Sequence, residues 1–425
     1  MSKPDREAEP KAGKSRAGKF SGFWNRLGPG LITGSSDDDP SGIATYTQAG
    51  ARFGLATLWT SIITFPLMAG LQEMCARIGL VTSHGLMGVI RRHYPRWISF
   101  VVIVLSFPAI TLNIGADLAG MGAVSTMLFP SIHPGIFSLG FAVLLVPAVI
   151  LLSYNRLARV LKWMCLTLLC YLVVPFFADL DWQQVVHGTF LPDVSFSKEF
   201  LFILVGILGT TISPYLFFWQ ASVEVEEKEH RSVIVDKHVL AAVKADINYG
   251  MGFSGLVMYF IILSAGAILF PEGVRNIDTV EQAAAALKPL AGRYAYLFFA
   301  VGVIGTGLLA IPVLAGSLSY MIAEAFDWKY GMDKKFYEAK GFYLVLIVSV
   351  GIALLIHFSG LSAVRSLLYT AVLYGLTAPV LIGLILHICN NRSIMGEYVN
   401  GRLANLLGAI ALVVMTVCAG ALLFY

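Results

Sequence analysis

Runs of about twenty apolar residues recur along the chain from Leu27 to its end, and each is long enough to cross a hydrocarbon layer as an α-helix. The pattern predicts eleven membrane spans, at 27–51, 55–78, 97–128, 136–154, 158–178, 200–225, 242–270, 292–324, 341–358, 362–389 and 404–424. Several exceed the minimum length, which implies tilt or a break. The fold class that follows is an all-α integral membrane protein.

Two spans are interrupted. The first reads GPGLITGSSDDDPSGIATYTQAG (Gly28–Gly50), with three consecutive carboxylates, a proline and glycines inside an apolar helix. One Asp at the bilayer centre costs about 2.5–3.5 kcal/mol on insertion scales, and Pro40 with Gly34 and Gly42 disfavours continuous helix. The pattern predicts unwinding over Ser36–Gly42, with carbonyls and carboxylates facing a cavity, the one place where irregular backbone is tolerated at that depth. A single Asp would suffice to cap the helix after Pro40, so capping alone does not account for Asp37, Asp38 and Asp39. The sixth span, GILGTTISPYLFFWQ (Gly206–Gln220), is broken by glycines, two threonines and Ser213-Pro214. The breaks open two stretches of similar layout, spans one to five (27–178) and six to ten (200–389). A loop expected outside, 179–199, joins them, and the eleventh span with its leading loop occupies 390–425. Paired interrupted helices at corresponding places point to an inverted-repeat transporter with its site at the midplane.

Composition agrees and adds direction. The 425 residues are 57 % hydrophobic and 13 % charged, with mean hydropathy +0.75, against about 45–50 % and 25 % for a soluble domain; a water-soluble enzyme is excluded. Residues 1–26 carry seven bases (Lys3, Arg6, Lys11, Lys14, Arg16, Lys19, Arg26) and three acids, which is the whole net charge of +4. They read as a basic tail near an anionic leaflet. Of the remaining Lys and Arg, 17 fall on the face of the N-terminus and six on the other (Arg52, Lys198, Arg275, Lys288, Arg293, Arg365). That excess predicts a cytoplasmic N-terminus and an external C-terminus in the plasma (inner) membrane. Five cysteines, without close metal-type pairing, define no disulfide framework.

Acids beside freed carbonyls favour a cation, and neither break offers Met, Cys or His. Hard divalent ions take such oxygen ligands, whereas softer ions gain from sulfur or imidazole. Asp117, flanked by small residues in the third span, is either a proton acceptor lining a pathway or a packed, hydrogen-bonded acid. Glu73, Asp246 and Glu324 fall near span ends, where solvated or ion-paired carboxylates are expected. The run Glu224, Glu226, Glu227 and Glu229 reads as a solvated helix end, with a cation vestibule as the second reading. The histidines read as surface or interfacial residues.

At this point the residues show a resemblance. GPG, DP, ATYTQAGARFG and LW within Gly28–Trp59, ARIGLVT (Ala76–Thr82) and MGEYVNGRLANLLG (Met395–Gly408) are similar to the corresponding motifs of the Nramp divalent-metal transporters. The likeness runs from Gly28 to the C-terminus. It implies a LeuT-type 5+5 inverted repeat with the first and sixth helices broken, and a secondary importer of divalent ions of the Mn²⁺, Mg²⁺ or Fe²⁺ class that works by alternating access. The metal is cargo, and no cofactor, nucleic acid or obligate protein partner is implied beyond the lipid bilayer. Carried over residue by residue, the resemblance implies Asp39 as the carboxylate ligand and the carbonyls of Ser36 and Thr210 as neutral ligands. Ser213 stands at the family's Met position, Asp38 adds a further acid, and Asp117 lies on the proton route.

Three departures bear on chemistry. The family's DPGN is Asp39-Pro40-Ser41-Gly42, its MPH is Ser213-Pro214-Tyr215, and its second sixth-helix His is Gln220. Loss of the thioether removes a filter for Mn²⁺, Fe²⁺ and Cd²⁺ and moves the site toward Mg²⁺ or Mn²⁺. Loss of the His leaves open both proton-coupled transport and uptake driven by membrane potential. Two other readings compete. A Na⁺-coupled amino-acid or amine transporter of the same fold would meet repulsion between its substrate carboxylate and three Asp residues. An intramembrane aspartyl protease using Asp39 and Asp117 has only those two acids in its favour.

Overall fold

The structure is a computed structural model that describes residues 29–152, 169–177, 180–195, 197–231, 234–288, 292–358, 360 and 362–424. The helices of the first half are α1 (Pro29–Asp37), α2 (Pro40–Phe53), α3 (Trp59–Thr82), α4 (Leu86–His93), α5 (Arg96–Leu128), α6 (Pro134–Leu151) and the short α7 (Cys170–Val173). After α8 (Trp182–Phe190), which lies within the expected 179–199 loop, come α9 (Lys198–Thr211), α10 (Pro214–Arg231), α11 (Lys237–Ile268) and α12 (Val280–Ala284). The chain ends with α13 (Ala295–Phe326), α14 (Lys340–His357), α15 (Ala363–Asn390), α16 (Arg392–Met395) and α17 (Arg402–Phe424).

Among the described residues, eight segments are long and apolar enough to cross a bilayer, with α9 and α10 counted as one. The other predicted spans correspond to α1 with α2, to α3, and to 158–178, of which only 169–177 is described. The basic tail lies outside the described residues.

The breaks are narrower than the sequence pattern predicts. Ser36 remains in α1, and Ser41 and Gly42 are already in α2, so only Asp38 and Asp39 lack helical pairing. The cause is local. Asp39 is extended (φ −67°, ψ 172°) and its carboxylate accepts from the Gly42 amide, while Pro40 occupies the first helical turn, where its missing N–H removes nothing. Pro214 opens α10 in the same way, after a gap of Ile212 and Ser213.

The broken helices sit at the centre. The apolar window of α9–α10 is 94 % buried, whereas that of α17 is 22 % buried and lies at the periphery. Two close crossings hold the breaks in place. Gly34 of α1 meets α11 so closely that a Cβ would fall 2.2 Å from the Gly250 carbonyl oxygen. Gly209 of α9 meets α15 with a Cβ position 2.0 Å from the Ala371 carbonyl oxygen. Small residues that let backbones touch are the means by which membrane helices gain packing contacts.

Candidate metal-binding site

Asp39 stands at the point where α1 stops and α2 starts, about 1 % exposed. Its Oδ1 accepts from the Gly42 amide and the Ser41 hydroxyl, both at 2.8 Å. Its Oδ2 accepts from Asn113 Nδ2 of α5 at 2.8 Å. A carboxylate has about four lone-pair positions; three donors leave room for a further ligand. None of the ion pairs among the described residues engages Asp39.

The second break faces this carboxylate. The hydroxyls of Ser41 and Thr210 are 3.3 Å apart and link α2 to α9. Tyr215, in the first turn of α10, donates its hydroxyl to the Ser36 carbonyl at 2.8 Å. Ser213 Oγ donates to the Thr210 carbonyl at 2.5 Å and lies 3.3 Å from that of Gly209. Asp39, Ser36, Thr210 and Ser213 are thus gathered within one polar, buried knot. It is lined by oxygen, with no sulfur or imidazole among the contacts just described.

Asp37 and Asp38 turn elsewhere. Ser254 Oγ of α11 lies 3.1 Å from Asp37 Oδ2 and 3.3 Å from Asp38 Oδ1. The triplet therefore divides, and among the described residues no three His, Cys, Asp or Glu groups converge as a ready metal cluster. The remaining oxygens Asp37 Oδ1 and Asp38 Oδ2, both oxygens of Asp117, Asn113 Oδ1 and the hydroxyls of Tyr46 and Tyr374 are buried without a hydrogen-bond partner. Such orphans are costly, and their concentration around one break singles it out as the candidate site.

Sequence reasoning missed Asn113 and Ser254. Asn113 had a signal, because it lies four residues before Asp117 and so shares a helix face with it. Ser254 had none. Two expectations about acids are corrected. Glu324 is not solvated: it is 3 % exposed and accepts from Ser222 Oγ at 2.7 Å and the Gly88 amide at 2.9 Å, because α4 and α10 close over the end of α13. The Glu run also turns inward in part. Glu224 is buried and accepts from Gln220 Nε2 at 2.8 Å. Glu226 holds the Tyr320 hydroxyl at 2.6 Å and, with Glu229, lines a cavity of about 390 Å³. Asp246 accepts from the Gly30 amide at 2.7 Å. Glu73 pairs with Lys244 at 3.0 Å, as expected of an acid at a span end.

A family model described as natural resistance-associated macrophage protein-like (Nramp) matches residues 30–425. The chain belongs to the Nramp family. Membership sets aside the protease reading and makes this Nramp protein a membrane transporter rather than an enzyme. It is 25 % identical over 406 residues to a divalent metal cation transporter, MntH, of Yersinia enterocolitica, with 92 % of each chain covered. Its fold is similar to that of the Eremococcus coleocola manganese transporter, with TM-score 0.74 and 18 % identity over 97 % of this chain and 88 % of that one. It is also similar to Mhp1, a nucleobase-cation-symport-1 family transporter, with TM-score 0.56 and 14 % identity over 93 % and 92 % of the two chains. The Nramp chain therefore has the LeuT-type fold, in which the two broken helices open the two repeats.

Proposed function

We propose that the chain is a secondary transporter that carries divalent cations of the Mn²⁺ and Mg²⁺ class across the plasma membrane by alternating access. Asp39 is its principal ligand, with Thr210, Ser213, Ser36 and the neighbouring hydroxyls around it. The observation that carries this reading is the position of Asp39: a buried carboxylate with spare acceptor capacity, tied through Ser41 to Thr210 where the two broken helices meet. The names of the similar relatives point the same way. A substrate bearing its own carboxylate is opposed by the four buried aspartates, so the amino-acid reading is not favoured. The orientation belongs to the same proposal, with a cytoplasmic N-terminus supported by the 17 to six distribution of Lys and Arg.

The membrane potential alone supplies about 2.3 kcal/mol per charge at 100 mV, hence about twice that for a divalent ion. Asp117, whose two buried oxygens have no donor, is the acid we assign to a proton route. Uptake of Mg²⁺, Mn²⁺, Ca²⁺ and Cd²⁺ into proteoliposomes holding an internal pH dye tests the reading: divalent uptake is expected, and none with any of the four refutes it. In the same assay Ser213→Met is expected to raise Cd²⁺ and Mn²⁺ uptake relative to Mg²⁺, because a thioether suits softer ions. An unchanged ratio removes Ser213 from the site.

A further inference from the structure

The seam between α3 and α11 lies away from the two breaks and carries two cavities, one basic and one apolar. The first, of about 220 Å³, is lined by Arg77, Lys237 and Lys244, with Glu73 the acid among them and Leu240 and Val243 beside them. Lys237, Ala241 and Lys244 follow at steps of four and three residues and so share one face of α11. Three bases against one acid leave two positive charges. Lys244 is matched by Glu73 at 3.0 Å, and Lys237 enters no ion pair among the described residues. Arg77 gives Nη2 to the neutral amide oxygen of Asn400, while its Nε is buried without a hydrogen-bond partner among the described residues. Asp236, next to Lys237 in the chain, is turned to the Val239 amide at 2.8 Å.

The second cavity, of about 390 Å³, lies further along the same seam, between Ile62 and Phe65 of α3 and Gly252, Leu256 and Phe260 of α11. The two helices are antiparallel here: Glu73 meets Lys244, and a Cβ added at Gly252 would meet only the Phe65 ring, at 3.5 Å. Both steps span eight residues, which sets the near end of the groove about 12 Å from the basic end at 1.5 Å per residue. Ile62 is 50 % and Leu256 43 % exposed, so the groove is open at the protein surface.

We infer that this seam binds an anionic phospholipid, with the head-group phosphate among Arg77, Lys237 and Lys244 and one acyl tail running between α3 and α11 into the apolar groove. Charge-assisted bonds from Lys and Arg are the usual means of holding a phosphate, and basic pockets between membrane helices on the cytoplasmic side take such head groups. The three bases belong to the 17 on the face of the N-terminus. Their apolar stems lie along the seam while the charged ends stay at its mouth. A soluble phosphate compound would use the basic end and leave the groove idle, whereas a phospholipid uses both. The inference stands apart from the transport reading, since it involves neither break.

The test is binding of phosphatidylglycerol to the delipidated full chain in neutral detergent, read by native mass spectrometry against phosphatidylcholine with the same acyl chains and against glycerophosphate. The parent is expected to prefer phosphatidylglycerol. Lys237→Gln combined with Lys244→Gln is expected to lower that preference about thirtyfold, at about fivefold for each base near a charged bilayer surface. Lys237→Gln alone, at an exposed position, is expected to lower it about fivefold and keeps the test decisive if the double variant does not fold. Lys334→Gln combined with Lys335→Gln removes the same charge elsewhere on that face and is expected to leave the preference as in the parent. No preference in the parent, no loss in the Lys237 and Lys244 variants, or an equal loss in the Lys334 and Lys335 variant overturns the inference. Glycerophosphate competing as well as phosphatidylglycerol also overturns it, in favour of a soluble phosphate compound.

Discussion

Asp39→Asn is expected to lower divalent-metal uptake by about 100-fold or more, a loss of roughly 3 kcal/mol in ion stabilisation, while leaving the protein folded. The variant separates charge from architecture. Asn caps helices about as well as Asp, whereas Ala at such a position costs about 1 kcal/mol, so the Gly42 amide keeps its acceptor. The new side-chain amide would meet Asn113 Nδ2. Asn113 Oδ1 has no partner, and a flip of that amide supplies the missing acceptor. What disappears is the negative charge that attracts the ion. Uptake into proteoliposomes, read beside the size-exclusion profile and thermal midpoint, checks this. Parent-level uptake by the folded variant contradicts it.

Gly209→Ala is expected to be the most damaging single-methyl change near the site. The added Cβ would fall 2.0 Å from the Ala371 carbonyl oxygen and 2.3 Å from the Gly375 amide nitrogen. Both are backbone atoms of α15 and cannot rotate out of the way, so the helices must part. Overpacking of this kind costs about 1–3 kcal/mol, occasionally more, and here it moves the residue directly before Thr210. A lower thermal midpoint and weaker metal binding are expected together. Gly206→Ala, one turn earlier, is the comparison. Its Cβ meets the methyl of Thr45 at 3.3 Å and that of Val372 at 3.6 Å, side-chain ends that can yield, and the midpoint should change little. Equal effects of the two substitutions would contradict the packing argument.

The positions of both breaks were legible because proline cannot donate in a ladder and because consecutive aspartates are out of place in lipid. The extent of unwinding was not. Ser36, Ser41 and Gly42 stay helical because Asp39 and Pro40 together are an efficient helix start, which a count of unfavourable residues overlooks. Local sequence could not divide the aspartate triplet either, since the partner of Asp37 and Asp38 is Ser254, more than 200 residues away. The same holds for Glu324, whose position at a span end suggested water; its donors are Ser222 and the Gly88 amide on other helices. Tyr215 was visible as a departure from the family motif, but its grip on the Ser36 carbonyl depends on how the two breaks face each other. Pattern and composition report what each element is, and the pairing of elements decides what a buried polar group meets.

Asp39 holding a divalent ion at the meeting of the two breaks is tested most directly by anomalous diffraction from crystals soaked in Mn²⁺. The account predicts a peak within bonding distance of an Asp39 oxygen and of an oxygen from Thr210, Ser213 or Tyr215. No peak in the membrane core, or one only beside Asp37, Asp38 and Ser254, would contradict it.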